Sequence, residues 1–182
     1  MNNEVFCSLY RSGYIKPKSK NYIWLPEMEF ISEQEARERQ KRWQDICDLE
    51  GMTVFAVNGG GDMFVWDSSD MVYFAEHDTG VKTLFARSLA DALFRRIIEF
   101  AAGEYAELCT DSEKADMDES DAQDYISESE ARDMIRSCRS AFGEYLSDEQ
   151  VSVLEEIISS PLDETGGFIT YERCRELTML IP

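Results

Sequence analysis

Few residues in this chain have the types and spacing that catalysis requires. The single histidine, His77, precedes Asp78, and a histidine beside a carboxylate can act as a general base. No Gly-x-Ser-x-Gly segment and no recognisable Cys–His signature accompanies it. One histidine also cannot form a multi-histidine metal site. We therefore expect His77 to lie in a turn without a catalytic role.

Carboxylates are the most numerous reactive groups, with 37 Asp+Glu residues in 182. Several flank apolar runs, where two of them could converge as an acid/base pair. Glycoside hydrolysis would need such a pair at a defined separation. We favour the alternative that these are solvated turn residues, which leaves a carboxylate-dependent hydrolase as the weakest functional hypothesis. The residues in question are Asp62, Asp67, Asp70, Glu76 and Asp78.

Three segments resemble ligand-binding loops but lack essential residues. The glycine-rich stretch 58–62 lacks the Lys-Ser/Thr pair of a phosphate loop. The acidic stretch 116–127 lacks the central glycine and the final glutamate of a calcium loop, and the stretch 162–173 lacks the first aspartate and the last glutamate. We therefore predict no catalytic residue, no cofactor and no metal site.

Composition limits the class of partner and the compartment. The formal net charge of −19 argues against nucleic acid and anionic lipid as partners and favours a basic protein. The N-terminus lacks a secretory signal pattern, and no apolar run approaches the roughly 20 residues of a membrane helix. The five well-separated cysteines predict free, mostly buried thiols in a reducing compartment. We expect a cytoplasmic protein that does not bind membranes.

The acidity is unevenly distributed along the chain. Residues 1–103 contain 12 basic and 16 acidic side chains, whereas residues 104–182 contain 6 and 21. Within the first part, Arg11, Lys16, Lys18 and Lys20 form a local basic stretch. We predict an α+β domain over residues 1–103 and an acidic helical extension over residues 104–182 that packs on it.

The first part has the patterns of an antiparallel meander sheet packed by helices. Tyr22–Pro26 is a strand candidate, and Ser32 to Glu35 is a capping box that begins a helix whose apolar stripe includes Ala36, Trp43, Ile46 and Cys47. Glu33/Arg37, Glu35/Arg39 and Glu38/Arg42 are spaced as i,i+4 pairs along it. Four apolar runs separated by short turns predict neighbouring strands: Met52–Val57, Asp62–Trp66, Met71–Ala75 and Val81–Ala86. A strongly amphipathic helix begins after Ser88 and should cover one sheet face.

The second part predicts an exposed linker followed by helices. The stretch 111–124 has few apolar residues and is interpreted as a solvated loop. Capping boxes at Ser127 and Ser147 each begin an amphipathic helix. A last short helix is predicted near Tyr171 to Met179.

The meander and the following helix resemble the SUKH superfamily. The residues that carry this resemblance are Val54–Asp67, the Val72-Tyr-Phe74 strand, the His77-Asp-Thr-Gly80 turn, and Leu84–Leu93 with its Ala86-Arg-Ser88 segment. The resemblance covers about residues 22–103. The family's N-terminal helices and its Leu-Pro-x-x-Tyr segment are not evident, and the acidic tail is an addition.

The resemblance implies an α+β fold without an active site. Many bacterial SUKH members are immunity proteins that neutralise toxin domains, often nucleases, and fungal relatives are regulatory scaffolds. We therefore expect a non-enzymatic module that binds a basic toxin domain, with an intracellular scaffold as the alternative. The acidity itself could instead serve only solubility. The predicted partner-binding residues are Asp62, Asp67, Asp70, Trp66, Tyr73, Asp116, Asp118, Glu119, Asp121 and Asp124.

Overall fold

The computed structural model describes residues 3–179 and 181 and divides them into two units. The first unit comprises residues 3–93 together with Ile181, and the second comprises residues 94–179. The division lies inside one helix, α3 (Leu89–Ala101), whereas the charge pattern placed a boundary near residue 103. The net charge of the sequence changes after residue 103. The division by backbone contacts instead falls between Leu93 and Phe94, within helix α3.

The first unit is an α+β structure built on a five-stranded antiparallel meander, as the sequence predicted. Strands β1 to β5 follow one another in the sheet in chain order. Its helices are α1 (Glu4–Ser12) and α2 (Glu33–Trp43), and its strands are β1 (Glu29–Phe30), β2 (Thr53–Val57), β3 (Met63–Trp66), β4 (Val72–Ala75) and β5 (Lys82–Ala86).

Both faces of this sheet bury apolar side chains, which explains why its strands are apolar at odd and even positions alike. Ala36 and Trp43 of α2 pack with Val54 and Val65 in one cluster. Phe6 of α1 belongs to a cluster of aromatic rings that includes Phe30, Phe55, Phe64 and Trp66. The rings of Phe55 and Trp66 stack with their centroids 4.6 Å apart.

Helix α1 was not expected from the sequence. The Asn3 side chain accepts a hydrogen bond from the Phe6 backbone N–H at 3.0 Å, and Gly13 ends the helix with φ +85°. Phe6 and Leu9 are its buried residues. An N-terminal helix is therefore present, although no sequence motif of the family's N-terminal helices was evident.

The predicted strand at Tyr22–Pro26 is wrong. This extended segment ends in a turn in which the Met28 N–H donates to the Leu25 carbonyl at 3.2 Å. Pro26 has no N–H to give a sheet, and Glu27 takes φ +52°. The sheet edge is formed instead by β1, two residues long.

Helix α2 and the residues that follow it differ from the prediction in two details, one in the apolar stripe and one in the predicted Glu38/Arg42 pair. Ile46 is 48 % exposed rather than buried, whereas Ala36, Trp43 and Cys47 are buried. The Arg42 side chain donates to the Glu38 backbone carbonyl. The pairs Glu33/Arg37 and Glu35/Arg39 form as predicted.

The second unit is helical apart from one pair of parallel strands. It contains most of α3, then β6 (Glu107–Cys109), α4 (Asp111–Asp116), β7 (Tyr125–Ser127), α5 (Glu128–Phe142), α6 (Asp148–Ser159) and α7 (Tyr171–Met179), with 3-10 turns at Asp121–Gln123 and Gly143–Tyr145. Helices α5, α6 and α7 confirm the prediction. The predicted exposure of residues 111–124 is confirmed, because none of them is buried. Their interpretation as a loop is wrong, because α4 and a 3-10 turn lie between the paired strands β6 and β7.

Capping and apolar burial stabilise these helices. Ser127 with Glu130, and Ser147 with Gln150, form complete capping boxes at the starts of α5 and α6. Gly167 lies so close to the end of α3 that an added Cβ would lie 3.2 Å from the Ala101 carbonyl oxygen. The helices bury one face each, including Ile135, Cys138, Phe142, Leu154, Ile157, Cys174 and Leu177.

The cysteines are reduced thiols, as predicted, and all except the half-buried Cys7 are buried. Burial raises the pKa of Cys138 to about 12, so this thiol stays neutral at physiological pH. Over the described part of the chain, no helix has the length and apolar character needed to cross a membrane.

Candidate functional site

The acidic segment, residues 111–124, contains seven carboxylates and one cation, Lys114. Five of these carboxylates were predicted as partner contacts, and the structure places all five at the surface of the second unit. They are Asp116, Asp118, Glu119, Asp121 and Asp124. Asp116 ends α4, and Asp121 begins the 3-10 turn that follows.

The acidic segment is fixed at its start by a capping box. The Thr110 hydroxyl accepts from the Glu113 N–H at 3.2 Å, and the Glu113 carboxylate accepts from the Thr110 N–H at 2.8 Å. Asp111 also accepts from the N–H and the hydroxyl of Ser129, at 3.2 and 2.7 Å. These bonds connect the start of α4 to the first turn of α5.

Lys114 holds the same segment from its middle. Its ammonium group donates to the Tyr125 carbonyl at 2.9 Å and pairs with Glu130 at 2.5 Å. The one cation of the segment is therefore engaged with β7 and α5. The exposed carboxylates keep their net negative charge, and the backbone that carries them is held in place.

Hydrogen bonds keep several of these carboxylates ionised. Those from Ser129 lower the pKa of Asp111, the Thr110 N–H lowers the pKa of Glu113, and the Ser120 hydroxyl lowers the pKa of Asp118. A carboxylate that accepts such bonds is stabilised in its charged form. The segment is thus strongly negative at neutral pH.

The predicted carboxylate Asp62 lies in the turn between β2 and β3 and binds His77. It accepts from the His77 backbone N–H at 2.9 Å and lies 2.7 Å from the ring Nδ1, while Asn58 donates to its other oxygen at 3.0 Å. Burial opposes ionisation of Asp62, but these hydrogen bonds outweigh it and lower its pKa. Asp62 links two turns and is half-buried.

The remaining predicted contacts of the first unit have distinct surroundings. Asp67 accepts from the Ser69 and Met71 N–H groups and from the Tyr73 hydroxyl, which lies 3.2 Å away. Asp70 accepts from the Asn3 side chain at 2.9 Å. Tyr73 is half-buried, whereas Trp66 is only 4 % exposed and lies in the aromatic core. The structure therefore leaves Tyr73, and not Trp66, accessible to a partner.

The calcium-like turn after α6 satisfies its own polar groups. Asp163 accepts from the N–H and the hydroxyl of Thr165, at 2.7 and 2.6 Å, and from the Gly167 N–H at 3.2 Å. These bonds lower the pKa of Asp163, and the hydrogen bond from the Thr165 hydroxyl has the largest effect. No cluster of three or more His, Cys, Asp or Glu side chains suited to a metal ion occurs within residues 3–179.

No family model, no curated protein and no solved structure matched this chain.

Two features of possible use to function were not foreseen from the sequence. In the second unit, Arg96 and Glu99 form a buried ion pair at 3.0 Å, and the Arg96 guanidinium lies 4.5 Å from the centre of the Tyr105 ring. In the first unit, a cavity of about 440 Å³ lies beside α1. Their signals were the i,i+3 spacing of the pair in α3 and the i,i+4 spacing of Phe6 and Tyr10 near the basic stretch.

Proposed function

We propose that this chain is a non-enzymatic protein-binding module, an immunity protein of the SUKH type that neutralises a basic toxin domain such as a nuclease. The observation that carries the proposal is the acidic segment. Its five predicted contact carboxylates are exposed on a folded backbone, and its single cation is engaged by Tyr125 and Glu130.

Fixed surface charge suits rapid recognition of a basic partner. Complementary potentials steer two proteins together and raise the association rate. A segment that is already ordered loses less conformational freedom on binding than a flexible loop would. A nuclease binds phosphate groups through basic side chains, so fixed carboxylates at the acidic segment would compete for the same groups.

The order of elements from β2 to α3 is the order that the resemblance to the SUKH superfamily implies. Strands β2 to β5 form a meander with short turns, and α3 follows directly after β5. The residues that carry the resemblance lie in these elements. The resemblance is the reason for proposing a toxin domain as the partner. The acidic segment provides the negative charge that a basic toxin domain would contact.

The test is a protection assay combined with a binding measurement. The candidate partner is the product of the gene adjacent to this chain's gene. It is expressed in cells with and without the chain, and the affinity of the purified pair is measured by calorimetry. The variant carries amides at the five contact positions: Asp116→Asn, Asp118→Asn, Glu119→Gln, Asp121→Asn and Asp124→Asn. An amide oxygen at position 118 can still accept the bonds from Ser120 and Asp121, so the hydrogen bonds that order this turn are retained.

The matched control removes five exposed carboxylates outside the acidic segment. It carries Glu4→Gln, Asp45→Asn, Glu50→Gln, Glu149→Gln and Glu164→Gln, all at exposed positions. We expect the wild type and the control to protect cells, and the segment variant to bind at least tenfold more weakly. Equal weakening by both variants would mean that only net charge matters. Unchanged toxicity with the wild type present would overturn toxin neutralisation.

A further inference from the structure

The first unit contains a cavity of about 440 Å³ that the proposed function does not use. Phe6, Cys7, Tyr10 and Arg11 of α1 and Glu33 of α2 line it. Its volume lies within the roughly 300–1,000 Å³ of small-molecule sites.

Aromatic rings form an apolar wall of this cavity. The rings of Phe6 and Tyr10 lie nearly parallel, at 21°, with centroids 5.9 Å apart. Phe6 is 3 % exposed and makes an edge-type contact with Trp66, with 5.1 Å between the ring centroids. Tyr10 is the accessible part of this wall, and Phe6 supports its ring from the core, so a flat apolar ligand would meet a rigid surface.

The stretch of sequence that contains the α1 lining residues is basic in a chain that is otherwise acidic, although Glu4 directly precedes it. Residues 5–26 contain four cations and no carboxylate, although the whole chain has a net charge of −19. The Lys16 ammonium lies 5.8 Å from the centre of the Tyr10 ring. Arg11 lines the cavity directly, and its Nε donates to the Cys7 carbonyl at 3.1 Å, which fixes the guanidinium beside the opening.

Glu33 is the one carboxylate among these lining residues, and its charge is compensated. It pairs with Arg37 at 2.5 Å one turn along α2. The hydrogen bond from Arg37 lowers the pKa of Glu33, so the pair stays ionised and neutral overall at physiological pH. Among the lining residues, Arg11 is then the charge that the Glu33–Arg37 pair does not neutralise, and the Lys16 ammonium lies beside Tyr10.

We infer that this cavity binds a small amphipathic anion, an aromatic carboxylate whose ring packs against Tyr10 and whose carboxylate pairs with Arg11. Guanidinium and carboxylate groups form paired, charge-assisted hydrogen bonds. This site lies in the first unit and is independent of the acidic segment, so it stands whether or not the chain binds a toxin.

The test is an NMR titration of the full chain with three probes that share one ring system. They are 2-naphthoate, neutral 2-naphthylmethanol and cationic 2-naphthylmethylammonium. We expect 2-naphthoate to shift the amide signals of residues 5–12 and to bind at least fivefold more tightly than the other two probes. Equal affinities for all three probes, or tightest binding of the cation, would overturn the proposal.

Two variants locate the site. Arg11→Gln should weaken 2-naphthoate binding at least fivefold and leave 2-naphthylmethanol unchanged. The matched control is Arg42→Gln, because Arg42 is also exposed and its Nε also donates to the carbonyl four residues earlier. Cys7→Phe fills the cavity and should abolish binding of both probes. If Cys7→Phe fails to fold, the Arg11 and Arg42 pair still decides, and equal effects of these two would contradict the assignment.

Discussion

His77 lies between two carboxylates that use both of its ring nitrogens. Asp62 lies 2.7 Å from Nδ1, and Asp78 lies 3.0 Å from Nε2. The hydrogen bond to Asp62 raises the pKa of His77, and the charge of Asp78 adds to that effect. The ring joins the turn after β2 to the turn after β4. This geometry gives His77 a stabilising role in which its charge, rather than a free basic nitrogen, matters.

The raised pKa of His77 predicts a pH-dependent contribution to stability. The protonated ring is favoured in the folded state, so its contribution is complete below the unfolded pKa of about 6.5 and disappears as pH rises through the higher folded pKa. We expect His77→Gln to lower the free energy of unfolding more at pH 5.5 than at pH 8.5, as measured by urea denaturation.

Asp62→Asn provides the matched comparison for His77. Without this carboxylate the ring loses the main cause of its raised pKa, so replacing His77 in that background should give nearly the same change in stability at both pH values. An equally large pH dependence in the Asp62→Asn background would assign it to other groups.

The turn between β4 and β5 is held against the chain that follows α2. Gly80 has φ +66°, and a Cβ added there would lie 2.2 Å from the Ile46 carbonyl oxygen. Gly51 has a similar φ of +73°, but no atom lies within 4 Å of its added Cβ. A side chain at either position would strain the backbone, but only at Gly80 would it also clash with a neighbouring atom.

This difference predicts unequal costs for two identical substitutions. Gly51→Ala should lower the free energy of unfolding by about 1 kcal/mol, from backbone strain alone. Gly80→Ala should cost roughly 2–4 kcal/mol, because overpacking against a backbone carbonyl is added to that strain. Urea denaturation of both variants measures this, and equal costs would show that the Ile46 backbone moves away freely.

Elements with local signals were predictable from the sequence, and elements without them were not. Ser32, Ser127 and Ser147 occupy N-cap positions as the capping patterns predicted, and the short polar turns located β2 to β5. The pairing of β6 with β7 is parallel and joins residues 18 positions apart, such as Leu108 and Ile126. A parallel pair has no tight turn between its strands, so no local residue pattern marks it.

The sequence composition predicted which residues belong to the candidate site, but it did not predict how they are arranged in three dimensions. The carboxylates of the acidic segment were identified because acidic residues are concentrated there. Their fixed arrangement depends on contacts with distant residues, such as Asp111 with Ser129 and Lys114 with Glu130. The cavity beside α1 depends on Glu33 of a second helix in the same way. The i,i+4 spacing of Phe6 and Tyr10 is the one local signal of either arrangement, and the other contacts join residues far apart in the chain.

At the scale of the whole molecule, charge is distributed in opposite senses along the chain. Residues 5–26 are purely basic in their charged groups, while residues 104–182 contain 21 of the 37 carboxylates. A partner that approaches from a distance responds to this asymmetry before any contact forms. The salt dependence of the association rate therefore distinguishes long-range steering by the acidic residues from contacts made at short range.

If the acidic segment steers a basic toxin domain, the association rate constant should fall at least tenfold between about 10 and 150 mM salt. The Debye length shortens over this range from about 30 Å to about 8 Å, whereas contacts already formed are screened much less. Stopped-flow fluorescence should show that the dissociation rate changes far less than the association rate. The variant with five amides in the acidic segment should have a flatter salt dependence, while the control with five amides elsewhere should retain more of it. An association rate that does not vary with salt in the wild type would remove steering from the mechanism, and the carboxylates would then act only through direct contacts in the bound complex.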